Sequence, residues 1–371
     1  MKIKYFFGCC FFLVAVGIYL FLTRKPPIVV LPAAFELQEA ILIAYEKQPS
    51  NQAHQDLHEK QRLVLIDIIA ECHTSVDIKV LVADKESHDS AKNHLTSRNI
   101  DLDNIEFIHQ EFDSMWIRDY SPIQLNTSFG TREWLDFDYY LPGDSWVDDD
   151  GIRHNRSLDD NVITHLAKRQ GVEVRSVDLA LHGGAILSNG GNILVISKGI
   201  FDWNQERYQL SPEQTKARLT NLFPNCHIEY VIPLAGEPTQ HLDMFLTFTS
   251  RNNVVVGSYS RQMDPINHMR LNGVARQLAQ LTVDGKPLTV DRIFMPPHGK
   301  QIFGGSYTNV VFANGTLLVP DYGIDPDGLA HAIALYNRLL PNWNIRPIDS
   351  GAFVVAEGAL HCVTGNIPSF K

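Results

Sequence analysis

Hydrophobic residues along this chain fall into two patterns that alternate. In the first, apolar positions recur every three to four residues, the spacing of a buried helical stripe. It predicts five helices, over 60–73, 158–170, 212–223, 265–281 and 326–340. The third opens Ser211-Pro212-Glu213-Gln214: a capping serine, a proline at the first helical position and a glutamine three residues after the cap. The fifth opens Asp325-Pro326-Asp327 and sets Leu329, Ile333, Tyr336 and Leu340 on one stripe. The second pattern consists of short β-rich runs. One follows each helix, over 76–82, 172–179, 228–234, 292–295 and 344–348. A further β-rich stretch with a central turn then follows. Asn314-Gly315 within 309–319 carries the clearest turn chemistry, because Asn and Gly tolerate the positive φ of a tight hairpin. Asn189-Gly190 within 185–197, Asn252-Asn253 within 244–257 and Glu357-Gly358 within 352–363 read the same way, and 123–137 is a looser version.

Helix, strand and hairpin, five times over, predict an α/β fold of five ββαβ-like units around a pseudo-fivefold axis, in propeller fashion. A doubly wound sheet would not carry the hairpins; an ordinary α+β domain is the alternative. No Pro/Gly/Ser-rich linker interrupts the chain after residue 28, so 29–371 is expected to form one domain.

Composition narrows the function classes. The 371 residues are 44% hydrophobic and 20% charged, as in globular proteins. Forty-two acidic against 32 basic residues leave a net charge of −10, which argues against a nucleic-acid partner and suits a cationic ligand. Tyr5 to Leu22 is an unbroken apolar run, flanked by Lys2 and Lys4 before and Arg24 and Lys25 after. Eighteen helical residues span about 27 Å, the thickness of a bilayer core. No small-residue cleavage site closes the run. Residues 1–28 are therefore expected to be an uncleaved signal-anchor and tether, with a cleaved signal as the alternative, giving a membrane-anchored or exported protein. Outside that run only Cys72, Cys226 and Cys362 remain, too few for a disulfide framework, and no C-x-x-C occurs. Cys72 and Cys226 read as small buried hydrophobes.

Unusual polar residues recur once per unit, at the entry to each hairpin. They are Asp119 in Trp116-Ile117-Arg118-Asp119, His182 before Gly183-Gly184, and His241 with Asp243 in Gln240-His241-Leu242-Asp243. Asn309 in Gly305-Ser306-Tyr307-Thr308-Asn309 and Cys362 in His361-Cys362-Val363-Thr364 complete the series, at intervals of 53 to 68 residues. In a ring of five units, equivalent junctions converge on the axis, so residues this far apart in sequence can line one pocket. Taken singly, each has an ordinary reading as core or structural salt bridge, and Arg118 reads as structural. H-x-D also suits a metal pair, but a catalytic zinc site needs a third protein ligand that no spacing here supplies.

Together the motifs resemble the agmatine deiminase and bacterial-type peptidylarginine deiminase family of the guanidino-modifying pentein superfamily. W-x-R-D, x-G-G, H-x-D, S-Y-x-N and H-C-x-T stand in the same order, and Leu31-Pro32-Ala33-Ala34-Phe35-Glu36 resembles the family's opening. The resemblance implies a pentein-type propeller and a hydrolase that converts a guanidinium to a ureido group and ammonia, without metal or organic cofactor. It implies Cys362 as nucleophile, His241 as general acid and base, and Asp119 and Asp243 as the guanidinium's carboxylate partners. Trp116, Asn309 and His182 would be substrate-binding, with Trp116 stacked on the flat cation. The partner is a small guanidino cation or an arginine peptide, and the oligomeric state stays open.

One position departs from the pattern. Many relatives carry Glu before the paired glycines, where this chain has His182, which cannot act as an anion. The acidic block Asp138–Asp148 holds no arginine for a substrate carboxylate and suits a second amine, as in agmatine, whereas export suits a peptide substrate. An amidinotransferase on the same scaffold, or a non-catalytic guanidinium-binding protein, is the alternative function.

Overall fold

The structure is a computed structural model that describes residues 29–49, 51–127, 130–139, 146–147, 153–154, 156–296, 305–354 and 358–370. All five expected helices form, as Gln52–Cys72, Val162–Gln170, Pro212–Leu222, Pro265–Leu278 and Pro326–Leu339. Caps fix where several begin. Ser211 Oγ accepts from the Gln214 main-chain N–H while Gln214 accepts from the N–H of Ser211. Asp264 and Asp325 each accept from the N–H three residues on, ahead of a proline at the first helical position. Besides one-turn helices, two unexpected longer helices appear among the described residues, Lys85–Ser97 and Gly199–Tyr208. The first buries only Ser87, Ala91 and Leu95, and the second only Gly199, Ile200 and Asn204, so neither has an apolar stripe for periodicity to reveal.

The fold is mixed α/β. The larger sheets among the described residues number five, each of three or four strands. Four share one construction. Ile186–Ser188 pairs antiparallel with Ile193–Ser197, and helices then return the chain to His227–Val231, parallel to Ile193–Ser197. Leu246–Ser250, Asn253–Ser258 and Thr289–Phe294 repeat this order, as do Val311–Ala313, Thr316–Asp321 and Asn344–Asp349. Ile123–Thr127, Arg132–Asp138 and Glu173–Ala180 form the fourth, with Val29–Val30 added at its edge. At the Asn314-Gly315 turn both residues have positive φ, 45° and 99°, as the dipeptide foretold.

The hairpin expected over 352–363 does not form. Gly351–Val354 is helical, 355–357 lie outside the described residues, and turns run from Leu360 to Val363. The next strand, Gly365–Pro368, pairs antiparallel with Gln38–Tyr45 from the other end of the chain, and Asp77–Val82 and Ile105–His109 follow in parallel. The antiparallel pair thus exists, but its two strands are more than 300 residues apart in sequence. Local turn chemistry cannot report such a pairing. Thr364 Oγ1 donates to the Leu360 carbonyl, which favours a turn over a ladder there.

The membrane expectation is corrected. Among the described residues no helix is long and apolar enough to cross a membrane. The apolar run 5–22 on which the signal-anchor, membrane partner and export expectations rested lies outside the described residues.

Candidate active site

Seven chain segments among the described residues meet at one cleft of about 330 Å³. Cys362, His241, Asp119, Trp116 and His182, all singled out from sequence, line it. The short helix Ile117–Tyr120 carries Asp119, and the turn after Gln240, whose φ is 57°, projects His241. Glycines make the approach feasible. A Cβ on Gly184 would lie 2.6 Å from His241 Nδ1, and one on Gly183 would lie 2.1 Å from the Arg118 carbonyl oxygen. The paired glycines therefore let this backbone pass directly beneath the histidine and the Asp119 helix.

Cys362 is buried, with Asn309 Nδ2 donating to its Sγ at 3.2 Å. Burial, then the charge of Asp243, pushes its thiol well above the ordinary range. A free cleft therefore holds a neutral thiol, and a bound cation would favour the thiolate. Asn309 also accepts from the His361 main-chain N–H at 2.9 Å. It is not among the residues lining the cleft; it supports the cysteine from behind.

Burial raises the Asp119 carboxyl to about 6, against the lowering effect of His241. Tyr139 donates its hydroxyl to Asp119 Oδ2 at 3.5 Å, and His241 Nδ1 lies 3.6 Å from Oδ1. The His241 main-chain N–H donates to Glu237 Oε2 at 2.9 Å, which fixes the turn.

Asp243 is not among the residues that line the cleft; it lines a second, smaller cavity with Arg118 and His361, and its charge acts on Cys362 and Asp119. Its Oδ2 accepts from His361 Nδ1 at 2.6 Å, while Oδ1 is buried without a hydrogen-bond partner among the described residues. Burial opposes the charge on Asp243, but the His361 bond and nearby positive charge outweigh it and hold the carboxyl below its usual range. Burial, then Arg118, lowers His361 to about 4, so at neutral pH it serves Asp243 as a neutral N–H donor. Arg118 donates its Nε to the His361 carbonyl at 3.3 Å and an Nη to Asn366 Oδ1 at 2.6 Å.

His182 lies 3.1 Å, Nδ1 to Nε2, from His241, and its ring stacks on Trp203 at 4.4 Å and 17°. Burial, then His241, lowers it to about 3, so it is neutral at pH 7. Asp119, His182 and His241 bring one donor atom each within 4.8 Å of one another, a set able to hold a metal ion. H-x-D is not itself that set: Asp243 turns to His361, and the further ligands come from other units. Sequence reasoning missed Tyr139, Arg156 and Trp203, which also line the cleft. Arg156 sits on Asp159 at 3.4 Å, and its charge reaches Asp119. Arg156 thus stands on the cleft wall just beyond the block Asp138–Asp148, within which Asp138 is engaged by Arg207 and Tyr208.

The sequence profile of Porphyromonas-type peptidyl-arginine deiminases matches residues 30–368, nearly the whole chain. The chain belongs to that family. Relatives of the Porphyromonas-type deiminase family include the agmatine deiminase of Stutzerimonas stutzeri, 23% identical over 309 residues, 76% of this chain and 82% of that one. Among solved structures, an agmatine deiminase of C. jejuni superposes with a TM-score of 0.74 at 20% identity, covering 94% of this chain and 98% of its own. That of Enterococcus faecalis gives 0.77 at 17% identity, covering 93% and 97%. At such identities the structural likeness establishes the shared fold.

Proposed function

We propose that this deiminase-family chain hydrolyses a guanidinium group to a ureido group and ammonia through a covalent intermediate on Cys362. The observation that carries this is the convergence of Cys362, His241 and Asp119 on one cleft, with Asp243 behind it, its charge acting on Cys362 and Asp119 and its buried Oδ1 without a hydrogen-bond partner among the described residues. A guanidinium presents paired N–H donors, which suit two carboxylates in a low-dielectric site. Asp119 and Asp243 hold the cation, and its charge favours passage of the Cys362 proton to His241, which lines the same cleft. The thiolate attacks the guanidinium carbon. The C–N bond to one amino group breaks as His241 donates a proton to it, and ammonia departs. A thiouronium remains on sulfur. His241 then takes a proton from water, whose oxygen attacks the same carbon; the C–S bond breaks, the hydroxyl proton passes to the departing sulfur, and the ureido carbonyl and the Cys362 thiol are left. Trp116 covers the flat face of the cation, Asn309 holds the sulfur, and His182 orients His241.

Arg156 on the cleft wall opposes a second ammonium and favours an arginine whose far end carries a carbonyl or carboxylate, free or in a peptide. Acid-quenched enzyme should carry an adduct on the Cys362 peptide with the mass of substrate less ammonia. A turning-over enzyme with unmodified Cys362 under every quench would refute the covalent route.

We also infer that the five sheets surround a pseudo-fivefold axis and form a single domain over 29–371. Shared apolar clusters support this. Leu42 shares a cluster with Trp134, Leu135 with Leu194, Val195 with Val255 and Leu317, and Val311 with Ile41, so the clusters link sheet to sheet round to the start.

A further inference from the structure

His182 and His241 present facing ring nitrogens 3.1 Å apart. Two such nitrogens are accommodated by one shared proton or by a cation that both ligate. Around a tetrahedral Zn²⁺ with bonds of about 2.0–2.1 Å, neighbouring donors stand roughly 3.3 Å apart. The histidine pair already has that separation. The Asp119 carboxylate supplies a third donor, all three lying within 4.8 Å of one another. Closing the set requires movements on the order of 1 Å, within the reach of side-chain rotation.

The surroundings favour a ligand role for His182. Its ring is clamped between the face of Trp203 and the edge of Tyr139, 5.1 Å away, so its direction is set in advance. Two imidazoles and a carboxylate in an open cleft suit a late first-row divalent cation better than Mg²⁺ or Ca²⁺.

We propose that Asp119, His182 and His241 form a three-ligand site for a late first-row divalent cation such as Zn²⁺, whose binding silences the cleft. Silencing rests on the deiminase reading, since the cation occupies the carboxylate and the acid–base histidine; binding does not. The fourth position opens toward the cleft that Cys362 shares.

The test uses the full chain, freed of metal and titrated with Zn²⁺ alone in equilibrium dialysis with metal analysis. Co²⁺ is then substituted to read the ligand field by visible absorption. One Zn²⁺ per chain is expected. His182→Phe, which keeps a ring on Trp203 but no donor, and Asp119→Asn should each weaken binding at least tenfold. Cys362→Ala should retain it. Loss in Cys362→Ala with retention in His182→Phe would place the metal on the thiol and overturn the proposal. Binding unaffected by all three changes, or no stoichiometric binding, would overturn it as well. Any guanidino turnover should fall with Zn²⁺ and return with chelator. Zinc binding by these ligands in a chain that turns over no guanidino compound would sustain the site and refute the deiminase reading.

Discussion

Replacing Gly184 with alanine tests whether the glycine pair exists to seat His241. The added Cβ would meet His241 Nδ1 at 2.6 Å, Cγ at 2.8 Å and Cε1 at 3.2 Å. Ordinary carbon contacts lie at about 3.5–4.0 Å, so the ring must retreat by roughly 1 Å. Gly184 has no positive φ, so the alanine backbone itself is unstrained and the whole effect is steric. Two costs follow. Overpacking beneath a buried ring destabilises by about 1–3 kcal/mol. Misplacing an acid–base group by about 1 Å costs on the order of a hundredfold in rate. The expected result is kcat down about a hundredfold and KM changed far less, because Asp119 and Asp243 stay in place. Ureido product formation with a guanidino substrate gives the kinetics, and a thermal melt gives the stability. Wild-type kcat together with an unshifted melting temperature would refute the reasoning, since it would mean that His241 does not depend on that clearance.

Asp119→Asn should inactivate the protein yet stabilise it. The folded carboxyl at about 6 lies above its ordinary 3.8, so its favourable contribution is complete below 3.8 and is lost as pH rises through 6. The gain in the variant should therefore be absent near pH 3.5 and reach on the order of 3 kcal/mol above pH 7, read from chemical denaturation at both ends. His361→Phe removes the donor to Asp243 Oδ2 and leaves that buried carboxylate with neither oxygen paired. Its pKa should rise, moving the acid limb of kcat/KM to higher pH and raising KM; an unchanged pH profile would show that His361 does not set the charge. Asn309→Ala loses both the contact to Cys362 Sγ and the side-chain acceptor for the His361 N–H, each worth about 1–3 kcal/mol. A fall in kcat/KM of tenfold or more is expected with the fold intact by circular dichroism, and wild-type kinetics would count against a supporting role.

The helices that were legible in the sequence are those whose burial is periodic and whose caps are explicit, such as Pro212–Leu222 behind Ser211. Lys85–Ser97 was not, because three small or single apolar positions make no stripe. The hairpin turning at Asn314-Gly315 was readable from two residues, whereas the pairing of Gly365–Pro368 with Gln38–Tyr45 depends on a partner at the far end of the chain. At the site, Asp119, His182, His241 and Cys362 could be found because each stands in a compact motif at a repeated junction. Tyr139, Trp203 and Arg156 occupy no such motif; their part in the cleft arises only when separate segments meet. His361 was visible beside Cys362, but its bond to Asp243 was not, because that contact spans 118 residues.

The central claim is most directly tested by incubating the purified chain with agmatine, arginine and an arginine peptide, and measuring ureido product and ammonia together. The account predicts equal amounts of both from at least one of them, with arginine or its peptide preferred, and none from the Cys362→Ala variant. No turnover of any of the three by a folded protein, or turnover that survives Cys362→Ala, would contradict it.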